Sequence, residues 1–136
     1  MIRVLDTSVV VKWFLEEEGS NKAERYLDAL EGGGDRVAVP SSFFYELANV
    51  LWRQRQTGMT ERNATAIWSD VRRLPLLVSD WEELFPQALS FAYRFDVSPY
   101  DAAFVVLARE LGCELITADR RLWKKTHGDC PWVQLL

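Results

Sequence analysis

Short apolar runs alternate along the chain with longer stretches whose apolar residues recur every three or four positions. The short runs are typical of buried β-strands and the longer stretches of α-helices. The predicted strands are Ile2 to Leu5, Val37 to Val39, Leu76 to Val78, Glu114 to Thr117 and Trp132-Val133. The predicted helices are Thr7 to Glu17, Asn21 toward Gly32, Ser41 or Ser42 to Gln56, Thr60 to Arg73, Trp81 to Tyr93, Ser98-Pro99 to Gly112, and Arg120 to Lys125. This alternation predicts an α/β fold with a parallel sheet covered on both faces.

Several helix ends carry their own signals. Asn21 and Glu24 have the spacing of a capping box, which predicts that Asn21 caps the second helix. Ser98 followed by a proline predicts the start of a later helix, and Gly112 predicts its end. Ligands of parallel sheets bind outside the carboxyl ends of the strands, so the residues that follow the strands are candidates for a functional site.

Composition indicates one folded domain, residues 1 to 136, with 49% hydrophobic and 26% charged residues. The net charge of −4 does not favour a nucleic-acid binder, unless a local basic patch or metal ions supply the attraction. Cys113 and Cys130 are far apart and are expected to be reduced thiols. With no apolar run long enough for a membrane span and no signal-peptide pattern, we expect a cytoplasmic protein.

Four acids stand where an unpaired carboxylate is costly. Asp6 directly follows one predicted strand and Asp119 comes two residues after another, whereas Glu46 and Asp101 lie on helices rich in apolar residues. Each has an ordinary alternative role: the aspartates can cap helices, and Glu46 can be solvated or paired with Arg53. Taken together, two strand ends and two inward-facing helices favour one shared site.

Gathered carboxylates need a cation. Two like charges ~4 Å apart repel by about 4 kcal/mol at an effective dielectric constant near 20. An all-oxygen site suits Mg²⁺ or Mn²⁺, and zinc is not favoured because His127, expected at the surface, is the only histidine. The Gly32 to Gly34 run lacks the lysine and spacing of a phosphate-binding loop, so we interpret it as a turn.

Two other enzyme or signalling classes also place an aspartate after the first strand. Phosphatases with an aspartyl nucleophile generally have a second aspartate two residues later, where this chain has Ser8. Phosphate-acceptor signalling domains have an adjacent acidic pair near the first strand, which Leu5 does not supply. A non-catalytic interaction module is a further alternative, against which the intact set of four acids argues.

Four motifs in a fixed order carry a family resemblance. They are Val4-Leu5-Asp6-Thr7-Ser8, Pro40-Ser41 with Tyr45-Glu46-Leu47-Ala48-Asn49-Val50-Leu51, Tyr100-Asp101-Ala102-Ala103-Phe104, and Leu115-Ile116-Thr117-Ala118-Asp119. Across nearly its whole length the chain resembles the PIN-domain ribonucleases, specifically the VapC-type toxins of prokaryotic toxin–antitoxin pairs. The resemblance implies a three-layer α/β/α sandwich with a central, mostly parallel sheet of four to five short strands. It also implies a Mg²⁺- or Mn²⁺-dependent endoribonuclease, an antitoxin partner and a homodimer.

The same resemblance assigns roles to residues. Asp6, Glu46, Asp101 and Asp119 would form the metal pocket, with Thr117 and one of Thr7 and Ser8 as hydrogen-bonding residues that hold it. Many family members carry a further acid where this chain has Leu122, which leaves a second metal ion open. A housekeeping RNase without an antitoxin, or a degenerate module that only binds a partner, remains the alternative.

Basic and aromatic residues suggest further contacts. Arg120, Arg121, Lys124 and Lys125 surround Trp123 directly after the last acid. They can bind RNA phosphates while the tryptophan stacks on a base, or they can form a solvated helix end with favourable charges. Three tryptophans on amphipathic helices can line a groove that binds a partner protein: Trp13, Trp52 and Trp68.

Overall fold

The computed structural model describes residues 1–136 and contains one sheet of five strands, all parallel to their neighbours. The strands are β1 (Ile2–Leu5), β2 (Arg36–Pro40), β3 (Leu77–Ser79), β4 (Glu114–Thr117) and β5 (Val133–Leu135). Their spatial order is β3-β2-β1-β4-β5. The predicted α/β/α fold is confirmed, and the sheet is entirely rather than mostly parallel.

Seven α-helices connect and cover the strands. They are α1 (Thr7–Val10), α2 (Ser20–Glu31), α3 (Phe43–Arg53), α4 (Glu61–Val71), α5 (Trp81–Phe95), α6 (Pro99–Leu111) and α7 (Arg120–Thr126). Short 3₁₀ turns extend two of these helices, over Val11–Trp13 after α1 and over Gln54–Thr57 after α3. Since parallel crossovers are right-handed, α1 to α4 lie on one face of the sheet and α5 to α7 on the other.

Helix α6 is the central helix of its layer, because it packs against β1, β2 and β4. The apolar run Ala102 to Ala108 is buried throughout, as its composition predicted. The hydroxyl of Ser98 accepts the backbone N–H of Asp101 at 3.1 Å, which confirms the predicted cap. Gly112 ends the helix with a left-handed φ of 61°, a conformation that costs glycine little.

Two predicted helix boundaries at the N-terminus were wrong. The first helix stops at Val10 rather than Glu17, and the chain turns back after Trp13. Side-chain contacts stabilise this turn: the indole N–H of Trp13 donates to the Ala23 carbonyl at 2.9 Å, and the Ser20 hydroxyl donates to the Leu15 carbonyl at 3.1 Å. Helix α2 begins at Ser20 after a left-handed glycine, so Asn21 lies inside the helix and does not cap it.

Thirty buried hydrophobic residues form one core cluster between the sheet and the two helical layers. Both cysteines are free, and burial raises the pKa of each thiol. His127 is exposed, as expected. None of the helices combines the length and the apolar character needed to cross a membrane.

The order in which strands are added to the sheet reverses at β1, which pairs with β2 on one side and with β4 on the other. In parallel sheets such a reversal leaves a crevice at the carboxyl ends of the two strands. Asp6 follows β1 and Asp119 follows β4 by two residues, so this crevice receives two of the four acids.

Candidate active site

Asp6 is the most deeply placed of the four acids. Its backbone N–H donates to the Ile116 carbonyl at 3.0 Å and so extends the pairing of β1 with β4, and its side chain is only 5% exposed. Although it precedes α1, its carboxylate makes no capping bond. Instead one oxygen, Oδ2, accepts the hydroxyls of Ser8 and Thr117, each at 2.7 Å. The ordinary capping role is therefore not the one that the side chain performs.

A network of hydroxyl groups joins the segments that follow β1 and β4. Thr117 is fully buried; its hydroxyl donates to Asp6 and accepts the backbone N–H of Asp119 at 3.0 Å. The Ser8 hydroxyl accepts the backbone N–H of Ala118 at 3.0 Å. Both strand ends are thereby held in one geometry, and the orientation of the Asp6 carboxylate is fixed.

Glu46 projects from α3 toward the same crevice. The Thr7 hydroxyl donates to its Oε2 at 2.6 Å, so the residue after Asp6 positions the second acid. Burial, and to a smaller extent the charges of Asp6 and Asp101, raise the pKa of Glu46 to about 7, against the lowering effect of the Thr7 bond. No ion pair joins Glu46 to Arg53, the cation on the same helix that could have neutralised it.

Asp101 enters from the first turn of α6. Burial together with the charges of Asp6 and Asp119 raises its pKa to about 6, while Ser98 and Arg121 act in the opposite direction. Burial also raises the pKa of Asp6, and the charge of Asp119 adds to that effect. Asp6, Asp101 and Asp119 thus lie close enough together for their charges to oppose one another's ionisation.

Asp119 has two roles. Its Oδ1 caps α7 by accepting the backbone N–H groups of Arg121 and Leu122 at 2.9 and 3.1 Å, so here the ordinary alternative is realised. The same carboxylate also lines the crevice with the other acids. Leu122, where the family resemblance implied a further acid in other members, is only 2% exposed and belongs to the core.

A cleft of about 680 Å³ contains all four acids. It continues into a hollow of about 410 Å³ with which it shares Ser98, Asp101 and Asp119. None of the four acids forms an ion pair with a lysine, arginine or histidine. The negative charge of the cleft therefore has no salt-bridge partner within the chain, although the charge of Arg121 lowers the pKa of Asp101 without such a bridge. Sequence reasoning missed two residues of its wall, Tyr45 and Tyr100, whose exposed side chains left no pattern, and it considered Arg53 only as a partner of Glu46.

The donors of the cleft match a hard divalent cation in chemistry. They are carboxylate and hydroxyl oxygens, and the raised pKa values of Asp6, Glu46 and Asp101 are the expected sign of carboxylates without a countercharge. No three acidic, histidine or cysteine side chains converge closely enough to form a ready-made metal cage. Mg²⁺ does not require one, since it keeps several waters and binds through one or two carboxylates. The residues present therefore fit such an ion.

The predicted RNA-binding residues separate into two groups. Arg121 and Lys125 line the hollow beside Asp101, whereas Arg120 and Lys124 do not. Lys125 is held by Asp96, whose carboxylate lies 3.1 Å from its ammonium group. Trp123 is half-buried and stacks on His127, with ring centroids 3.9 Å apart and planes at 12°.

Comparisons with known proteins agree with this fold. The model of the PIN domain family matches residues 3–128. Ribonuclease VapC3 of Pyrobaculum aerophilum is 29% identical over 127 residues, which are 90% of this chain and 92% of that protein.

Among solved structures, Mycobacterium tuberculosis VapC20, described as a sarcin-ricin loop cleaving toxin, superposes with a TM-score of 0.69 at 19% identity, over 91% of this chain and 95% of that one. A toxin–antitoxin complex from Klebsiella pneumoniae gives a TM-score of 0.59 at 15% identity, over 97% and 95%. At these identities the structural likeness concerns the fold alone.

Proposed function

The chain belongs to the PIN-domain family, and on that premise we propose that it is a VapC-type toxin, a metal-dependent endoribonuclease that cleaves RNA at the cleft of the four acids. One observation carries the proposal: Asp6, Glu46, Asp101 and Asp119 share a cleft at the carboxyl edge of a parallel sheet, and no cation of the chain pairs with them. A structural role alone would leave the mutual repulsion of these charges without compensation.

The reaction is hydrolysis of a phosphodiester, in which a water oxygen bonds to phosphorus and the bond from phosphorus to the leaving ribose oxygen breaks. A Mg²⁺ or Mn²⁺ ion held by the four acids would orient the water and neutralise the phosphate. The chain's own hydroxyls do the positioning. Ser8 and Thr117 fix Asp6, and Thr7 fixes Glu46, so these carboxylates need little reorganisation when substrate arrives.

Metal replacement tests this proposal. Chelator-treated protein is expected to leave a labelled single-stranded RNA intact, and cleavage should return when Mg²⁺ or Mn²⁺ is added. Zn²⁺ should restore little, because the cleft offers neither histidine nor cysteine. Full cleavage in the presence of chelator would refute the metal-dependent reaction.

We propose an antitoxin as the partner, as the Klebsiella complex and the VapC relatives suggest. A groove of about 450 Å³ between α3 and α4 suits an apolar helix face, and part of the tryptophan hypothesis applies to it. Trp52 and Trp68 line this groove, whereas Trp13 lies elsewhere and bonds to Ala23. The assignment would be supported by a small neighbouring gene whose product is a DNA-binding protein that copurifies with this chain. If no such gene exists, a housekeeping RNase becomes the better interpretation.

A homodimer is also proposed, and α5 offers a surface for it. Four large apolar side chains at intervals of four residues form an exposed ridge along this helix: Trp81, Phe85, Leu89 and Tyr93. Exposed apolar ridges of this kind are typical of protein interfaces. Light scattering should give twice the chain mass for the wild type, half of that for Phe85→Arg, and no change for the control Gln87→Arg, which lies on another face of α5.

A further inference from the structure

Arg53 is a cation of the cleft that the acids do not use. It lies seven residues after Glu46 on α3, which places both side chains on one face of the helix and about 10 Å apart along its axis. Arg53 lines the cleft with Glu46 and Asn49, is exposed, and forms no ion pair. Its charge is therefore available to a ligand.

Arg121 is the corresponding cation at the other end. It lines the hollow that continues the cleft past Asp101 and Asp119, is exposed, and forms no ion pair. Its neighbour Lys125 is already held by Asp96. Along the cleft the order of charges is thus Arg53, the acids, and Arg121; neither arginine forms a salt bridge, although the charge of Arg121 lowers the pKa of Asp101.

We propose that Arg53 and Arg121 bind the RNA phosphates on either side of the scissile one, so that the strand crosses the cleft from α3 to α7. The acids occupy the middle, where a phosphate can bind only with a metal ion, and the arginines occupy the ends, where a phosphate can bind directly. Asn49, between Glu46 and Arg53 on the same face of α3, offers an uncharged amide along this path. Both arginines are positioning residues, and the inference rests on the proposed ribonuclease function.

Salt dependence of RNA binding tests the path without relying on cleavage. Binding of a short fluorescein-labelled single-stranded RNA is followed by anisotropy at several salt concentrations with chelator present. The protein carries Asp101→Asn so that it cannot cleave and repels RNA less. Each lost contact to a single-strand phosphate should lower the slope of log Kd against log salt by about 0.7, which is about fivefold in Kd per tenfold change in salt.

The expected result is a loss of about 0.7 in slope for Arg53→Gln and for Arg121→Gln, about 1.4 for the pair, and recovery in the lysine variants. Arg55→Gln is the matched control in the 3₁₀ turn after α3, where Arg55 lies outside the cleft and stacks over the Trp52 ring at 3.6 Å. Lys22→Gln is a second control, at an exposed lysine of α2 that forms no ion pair and lines neither the cleft nor the hollow. Both controls should keep the parent slope.

An unchanged slope in Arg53→Gln or Arg121→Gln would overturn the proposal, and so would an equal loss in the controls, which would indicate a general charge effect. Variants that weaken antitoxin binding while keeping the RNA slope would assign the arginines to the protein partner instead. If the proposed ribonuclease function is wrong, the wild-type protein will show no metal-dependent cleavage, regardless of the slopes of log Kd against log salt.

Discussion

Ionisation of Glu46 should destabilise the metal-free protein at neutral pH. Burial raises its pKa from 4.5 to about 7, so between these values the folded state binds a proton that the unfolded state has lost. Stability therefore falls as pH rises through this window. This pKa shift of Glu46 corresponds to a loss of about 3 kcal/mol at most in the free energy of unfolding. Solvent screening at the open cleft reduces this to about 1–2 kcal/mol.

Glu46→Gln removes the ionisation while its amide oxygen keeps the acceptor for Thr7. At about 4 °C per kcal/mol, its Tm should exceed that of the wild type by about 4–8 °C at pH 7.5, and the difference should vanish near pH 4.5. Calorimetry of chelator-treated protein measures the Tm difference at both pH values. Glu24→Gln, which changes an exposed glutamate, is the control. Added Mg²⁺ should stabilise the wild type more than the variant. A Tm difference that does not depend on pH would show that ionisation of Glu46 is not its cause.

Two further predictions concern the hydroxyl network and the groove. Thr117→Val removes the donor to Asp6 and leaves the backbone N–H of Asp119 unpaired, so we expect a loss of about 1–3 kcal/mol and RNA cleavage slower by about 10- to 100-fold. Thr126→Val, which removes a buried hydroxyl that lines neither the cleft nor the hollow, should lower Tm with no such loss of rate. Trp52→Ala should change stability by less than about 0.5 kcal/mol yet weaken antitoxin binding at least about tenfold in calorimetry. Unchanged affinity would exclude the α3–α4 groove as the binding surface.

Strand ends were the part of the site most readily predicted from the sequence. Asp6 and Asp119 follow apolar runs, and parallel strands bring their carboxyl ends to one edge whatever the details of packing. The apolar run after Asp101 likewise indicated a buried helix whose first turn faces the protein. These inferences needed only local patterns and the geometry of a parallel sheet.

Contacts between distant segments could not be predicted in the same way. The end of α1 depends on the bond from Trp13 to Ala23, which no local pattern encodes. Both Thr7 and Ser8 contact the acids, although the resemblance implied only one of them. The sequence likewise could not show whether Arg53 forms an ion pair with Glu46, because a spacing of seven residues allows either outcome. Only the tertiary structure shows that Arg53 lines the cleft.

Cleavage of RNA by Asp101→Asn protein shows whether the cleft of the four acids is the reaction site. Asparagine keeps the size of the side chain and leaves the backbone cap from Ser98 intact, so the fold should persist with an unchanged or higher Tm. The single-turnover rate with Mg²⁺ is expected to fall by at least about 100-fold, which is about 3 kcal/mol of activation free energy. The control Asp129→Asn changes an exposed acid outside the cleft and should keep the wild-type rate. A folded Asp101→Asn protein that cleaves as fast as the wild type would show that the Asp101 carboxylate takes no part in RNA cleavage.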